Sequence, residues 1–304
     1  MWEPLTQQER SFSAPAFKGR RRAASPTVQL LTEWDEREVL AFLAERPTHT
    51  FGMAGFIYTN GIVSPHNRGT FYCCRNQHGR LEGVALIGHA ILFEARSEAA
   101  IAALARVAQG CSDAHMLLAE QESAKVFWSY YSEKGQPVRL YCRELLFEQT
   151  WPAESLDAVP GLGPASPDDL DLIVPAHAQT AFDESGIDPL VEDPEGFRKR
   201  CARRIDQGKT LAWIDGGELL FKAEIVADTS QVIYLEGVWV NPGYRRMGIG
   251  RRCLSQLNAE FLSRTDSVCV LVNEKFQGAQ AFYRNCGFRF AGYFDTMFLK
   301  KKTD

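Results

Sequence analysis

The stretch YLEGVWVNPGYRRMGIGRRCLSQL, residues 234–257, decides the reading of this chain. It opens as an apolar run to Val240 and meets a tight Asn241-Pro242-Gly243 turn. It then passes through Arg245-Arg246-Met247-Gly248-Ile249-Gly250-Arg251 into a helical pattern. The spacing predicts a strand over 231–240, a glycine loop, and a helix from about 248 to 263. The first turn of a helix carries unpaired N–H groups and the positive end of the macrodipole. Glycine lets a bound group approach the backbone with no Cβ in the way. The arginines add countercharge. The loop is therefore expected to hold a pyrophosphate. It is not a Walker loop, because Gly-Lys-Ser/Thr is missing. Nor is it a Rossmann loop, because Cys253 stands where the third glycine would fall.

A second signal lies downstream. Residues 268–272 read as a strand ending at Asn273, and 277–286 as a helix closed by Gly287. That helix carries Ala281-Phe282-Tyr283-Arg284-Asn285-Cys286-Gly287-Phe288. An Arg-x-x-Gly-x-Gly loop after a V-x-V strand, followed by a strand–Asn–helix unit ending in Tyr-x-x-x-Gly-Phe, resembles the GNAT acyltransferase superfamily. The likeness runs over residues 165–299. The strings LLFKAEIV (219–226) and FDESGIDP (182–189) narrow it to a bacterial two-domain GNAT subfamily with a degenerate N-terminal half.

The resemblance implies an α/β (α+β) chain of tandem GNAT-like domains, each a mixed, mostly antiparallel sheet flanked by helices. It implies acetyl-CoA as cofactor and transfer of an acyl group, above all acetyl, to a small-molecule or peptide amine by direct attack in a ternary complex. Backbone groups of Val238, Trp239 and Val240 would pair with the pantetheine arm as an added strand does. Arg245, Arg246, Met247, Gly248, Ile249, Gly250 and Arg251 would hold the pyrophosphate. Asn273 would contact the cofactor or a water, and Tyr283 would protonate the departing thiolate. The amine must also lose a proton. Glu236 is the candidate base, since residues 234, 236, 238 and 240 share one strand face. An ordinary ion-paired strand glutamate is an equal reading, and Glu224 on the neighbouring strand is a weaker alternative. Asp183, Glu184 and Asp188 are candidate substrate contacts, attracting a cationic amine, or simply solvated helix-end acids. Two other functions stand beside the enzyme: a catalytically silent acyl-CoA sensor or scaffold, and a nucleotide-binding protein of another class.

Outward from these motifs, both halves share one order: helix, antiparallel strands, helix, strand, helix, strand. The stretches 115–135 and 269–287 each run from strand into aromatic helix, with Tyr131 four residues before Gly135 and Tyr283 four before Gly287. A duplicated fold follows. The expected organisation is a loosely ordered extension (1–28), a degenerate GNAT-like domain (29–150), a Pro/Gly-rich linker (151–164) and an acetyltransferase domain (165–304). In the first half the matching junction reads Phe93-Glu94-Ala95-Arg96-Ser97. It has no glycine and sets Glu94 where a phosphate would sit, so usual coenzyme A binding is not expected there.

Composition bounds the rest. The 304 residues carry 34 Lys+Arg against 38 Asp+Glu, a net charge of −4, which argues against a dedicated nucleic-acid binder. No apolar run reaches membrane-span length and the N-terminus lacks a signal-peptide pattern, so a cytoplasmic protein with no membrane partner is expected. The basic run 18–22 reads as a solvated terminus. The eight cysteines form no metal spacing and read as buried reduced thiols. All six histidines precede residue 178, so no histidine metal or triad site is expected after that point.

Overall fold

The computed structural model describes residues 26–152 and 157–301. The basic run 18–22 and most of the expected extension lie outside them. In the first half β1 (Thr27–Leu30) leads to α1 (Glu36–Leu43) and α2 (Pro47–Asn60). The antiparallel strands β2 (Gly69–Arg75), β3 (Leu81–Gly88) and β4 (Ala90–Ala95) follow, then α3 (Glu98–Ala108), β5 (Met116–Glu120), α4 (Gln121–Tyr131) and β6 (Val138–Gln149). The second half begins with β7 (Gly163–Pro164), α5 (Leu170–Ser185), α6 (Pro189–Glu192) and α7 (Pro194–Asp206). It continues through β8 (Thr210–Asp215), β9 (Glu218–Asp228), β10 (Val232–Val240), α8 (Ile249–Phe261), β11 (Ser267–Asn273), α9 (Gln277–Asn285) and β12 (Arg289–Leu299).

Three segments fold otherwise than their local sequence pattern suggests. Residues 50–63, a glycine-broken apolar stretch in sequence, lie mostly in α2. A Cβ at Gly55 would fall 2.7 Å from that of Ala227, so glycine there serves close helix–sheet packing, not a break. Residues 81–93, one apolar run in sequence, turn at His89 into the β3–β4 hairpin. The helical pattern of residues 192–207 begins only after Asp193, whose carboxylate accepts from Gly196 N at 2.9 Å and caps α7.

The larger correction concerns the sheet. Two sheets were expected; the strands form one 12-stranded sheet in the order β1-β2-β3-β4-β5-β12-β6-β11-β10-β9-β8-β7. The final strands are exchanged: β12 pairs with β5 of the first half, and β6 pairs with β11 of the second. Helices α3, α4, α8 and α9 pack on one face, with Phe127 and Tyr131 over the first half and Leu254, Leu257 and Tyr283 over the second. Helix α2 packs on the opposite face, where Phe51 stacks on Tyr234 at 3.9 Å and ties the halves together. No described helix is long and apolar enough to cross a membrane. All eight cysteines are free thiols, seven buried and Cys111 half-buried.

Candidate active site

The parallel strands β10 and β11 are paired from Val232–Ser267 to Leu235–Val270, and there the pairing stops although both strands continue. A bulge between Glu236 and Trp239 causes the parting. Gly237 adopts φ +55, which glycine tolerates and other residues seldom do. Beneath it Lys222, fully buried, donates to Gly237 O at 3.0 Å and to His177 Nδ1 at 3.2 Å. Lys222 is ion-paired to Glu224 at 3.3 Å, and Thr210 Oγ1 donates to Glu224 at 2.8 Å. Burial lowers the Lys222 pKa against the pull of Glu224. Burial, then the charge of Lys222, pushes His177 well down, so its ring is a neutral acceptor. Glu224 is therefore consumed in a buried network and is no free base.

The loop after β10 is built to leave amides open. Asn241 Oδ1 accepts from Gly243 N at 3.0 Å, and Arg245 Nε donates to Val240 O at 3.1 Å. Arg246 (φ +64) and Gly248 (φ +81) both take the left-handed conformation, and Gly248 caps α8 without a side-chain bond. The first turn of α8 contains no acid. A Cβ at Gly250 would sit 2.9 Å from Val240 Cγ2, so glycine lets the helix start press against the strand. An anionic group fits this cradle: free amides, a helix N-terminus and flanking guanidiniums.

A cleft of about 2200 Å³ runs from the loop through the wedge to the opposite sheet face. Val238, Trp239, Val240, Arg245, Arg246, Gly248, Ile249, Gly250, Arg251 and Asn273 all line it. Met247 does not; its side chain points to solvent, 67% exposed. Asn273 closes β11, its Oδ1 accepting from Lys275 N at 3.0 Å. Tyr283 lines the cleft from the α8–α9 side, and its hydroxyl has no hydrogen-bond partner among the described residues. Burial raises its pKa, so it stays protonated.

Glu236 faces the cleft from the other side of the sheet, together with two further carboxyls. Burial raises the Glu236 pKa, with Arg204 opposing. Glu184, at the end of α5, is pushed up to about 8 by desolvation and then by Glu236 and Glu144. Glu144 on β6 is pushed up to about 7 by burial, while Thr296 Oγ1 donates to it at 2.6 Å. Of the three candidate substrate acids, Asp183 and Glu184 line the cleft. Asp188 does not; its Oδ1 accepts from Leu190 N at 2.9 Å and caps α6. Sequence reading missed Glu144 and Lys222. Nothing in β6 marks Glu144, because strand exchange alone carries it beside Asn273, its pairing partner in β11.

The matching place in the first half is filled. Phe93 stacks on Phe127 at 4.5 Å, and buried Glu94 is paired with Arg46 at 3.0 Å and with Arg96. The hydroxyl of Tyr131, counterpart of Tyr283, accepts from Gln136 N at 3.2 Å.

Residues 177–288 match the Acetyltransferase (GNAT) family. Solved structures match across both halves. A Drosophila protein is 11% identical with a TM-score of 0.64, covering 91% of this chain and 99% of its own. A tandem GNAT protein from the clavulanic acid biosynthesis pathway is 13% identical with a TM-score of 0.56, covering 92% and 99%. A GNAT-family acetyltransferase from Colwellia psychrerythraea is 12% identical with a TM-score of 0.53, covering 90% and 100%. No curated protein matches the chain. Residues 177–288 thus form a GNAT-family domain, and the chain as a whole has the fold of tandem GNAT proteins.

Proposed function

We propose that the second half is an acetyl-CoA-dependent N-acetyltransferase in which an amine attacks directly within a ternary complex. One observation carries this reading: the β10–β11 wedge opens between an anion cradle at one end, Glu236 on one sheet face and the Tyr283 hydroxyl on the other. Acetyl-CoA, when bound, supplies an activated acyl group as its thioester. The loop amides with Arg245, Arg246 and Arg251 would hold the pyrophosphate. The backbone of Val238–Val240, unpaired on its β11 side, would receive the pantetheine arm. Asn273 would hold the cofactor or a water at the far edge of the wedge. Glu236 takes the amine proton, directly or through water; Asp183 draws the cationic amine in, and the Glu184 carboxyl beside it offers a hydrogen bond. Tyr283 gives its proton to the leaving thiolate; its raised pKa keeps that proton available at neutral pH.

The filled junction around Phe93 and Glu94 supports a single acyl-CoA site per chain. Seven buried thiols and no disulfide among the described residues support a reducing, cytoplasmic setting. The test is free-thiol release from acetyl-CoA against a panel of amines and amino acids. Amine-dependent release is expected. Acetyl-CoA binding with no release for any amine would favour the silent sensor instead.

A further inference from the structure

The first half of the chain also reaches the cleft, with the opposite charge. Arg68, His89 and His115 form a row tied by backbone bonds: His89 N to Arg68 O at 2.8 Å and His115 N to His89 O at 2.8 Å. The two imidazoles stack at 5.1 Å, only 8° from parallel. The row continues into β12, where Leu299 N donates to His115 O at 2.8 Å. Arg68 is held at φ +57, and its guanidinium has no ion pair or hydrogen bond among the described residues. The groups that bear on it from α7 are Arg200, Arg203 and Arg204, all cationic. Arg139 lies 5.6 Å over the Phe298 ring and donates to Ser185 O at 2.7 Å, with no carboxylate partner among the described residues. His89 and His115 are kept neutral by burial and by these arginines, so each retains one N–H to donate. Arg200 is paired with Asp193 at 2.9 Å and Arg204 lies 3.8 Å from Glu224, so at this end of the cleft Arg68 and Arg139 are the arginines left without a carboxylate among the described residues, and an anionic ligand would supply one.

We infer that the acceptor is an amine carrying a carboxylate or phosphate several bonds from its nitrogen, and that Arg68, His89, His115 and Arg139 hold that anion. This rests on the acyl-transfer reading of the cleft. The spacing comes from β12. Thr296 bonds Glu144 at the acidic pole, and Phe298, two residues on and on the same face, lies beneath Arg139. At about 3.4 Å per residue the poles stand roughly 7–10 Å apart, the last step being to His115. The degenerate half thus recognises the acceptor's far end, while the second half holds the reacting end.

The test compares hexylamine, 6-aminohexanoate and 6-aminohexyl phosphate as acceptors in the full chain. Wild-type kcat/KM is expected to be about tenfold or more higher for one or both anionic acceptors, and the better one identifies the anion. Arg68→Asn suits the left-handed backbone, so the fold is kept. It is expected to lower kcat/KM for the anionic acceptors about tenfold more than for hexylamine, through KM. Equal rates for all three acceptors in the wild type, or equal losses in the variant, would overturn the inference. If no amine is acetylated, the transfer reading fails separately. Calorimetry of 6-aminohexanoate and inorganic phosphate against wild type and Arg68→Asn then decides the subsite: binding lost in the variant supports it, and no binding to either protein overturns it.

Discussion

Replacing Gly248 by alanine tests the anion cradle directly. A Cβ at Gly248 would meet nothing within 4 Å, so crowding plays no part. The cost is conformational: φ is +81, and an L-residue there loses about 1–2 kcal/mol. If the loop keeps its shape, that cost appears as lost stability. If it relaxes, the amides at the start of α8 turn away from the cleft, and the cost appears as about a 5–30-fold weaker acetyl-CoA Kd. Gly243, in the same loop, is the control. It has an ordinary φ, and its Cβ would lie 3.5 Å from Asn241 Oδ1, a normal contact. Calorimetric Kd and thermal unfolding are measured for wild type, Gly243→Ala and Gly248→Ala. The reasoning is refuted if Gly248→Ala changes neither quantity, or if Gly243→Ala does equal damage.

Glu236→Gln is expected to lower kcat by about 10²–10⁴-fold. Because burial raises the carboxyl's pKa, the ionised base gathers only as pH rises through that value, so the variant should lose the rising limb of the pH–rate profile. An unchanged profile would remove Glu236 as the base. Tyr283→Phe should lower kcat with little change in acetyl-CoA affinity, since the hydroxyl bonds nothing within the described chain; full activity would end its acid role. Desolvation and the neighbouring Glu236 and Glu144 carboxyls raise the Glu184 pKa above its ordinary value, so the folded chain holds this proton longer than the unfolded one and stability falls as pH rises from the ordinary carboxyl value toward the raised one. Glu184→Gln should therefore shrink the fall in Tm between pH 5 and pH 8. Acetyl-CoA should titrate to one site per chain; two equal sites would contradict the filled junction at Glu94.

The cradle was legible because it is local. Its glycines, arginines and turn follow one another within ten residues, and a strand–turn–helix run needs no distant partner to be recognised. Tyr283 and Asn273 were legible for the same reason. The carboxylate cluster was not. Glu236 and Glu184 could be suspected from their segments, but Glu144 lies more than ninety residues from Glu236 in sequence. Asp188 looked like its neighbours Asp183 and Glu184, yet the start of α6 claims it as a cap. Glu224 looked like a spare base until Lys222 was found buried against it.

The sequence by itself marked the glycine loop and its GNAT likeness, most of the elements, the repeated order of the two halves and the lack of a glycine loop in the first. Each follows from patterns a few residues long: alternation in strands, apolar spacing in helices, glycine where φ turns positive. Only the tertiary structure decided that the two halves share one sheet. β6 and β12 are both last strands, each with one face toward α helices, so either half's pattern suits either position. Which partner each takes is settled by packing across the whole molecule. That choice sets Glu144 of the first half in one cleft with Glu236 and Glu184 of the second, beside the first half's arginines and histidines.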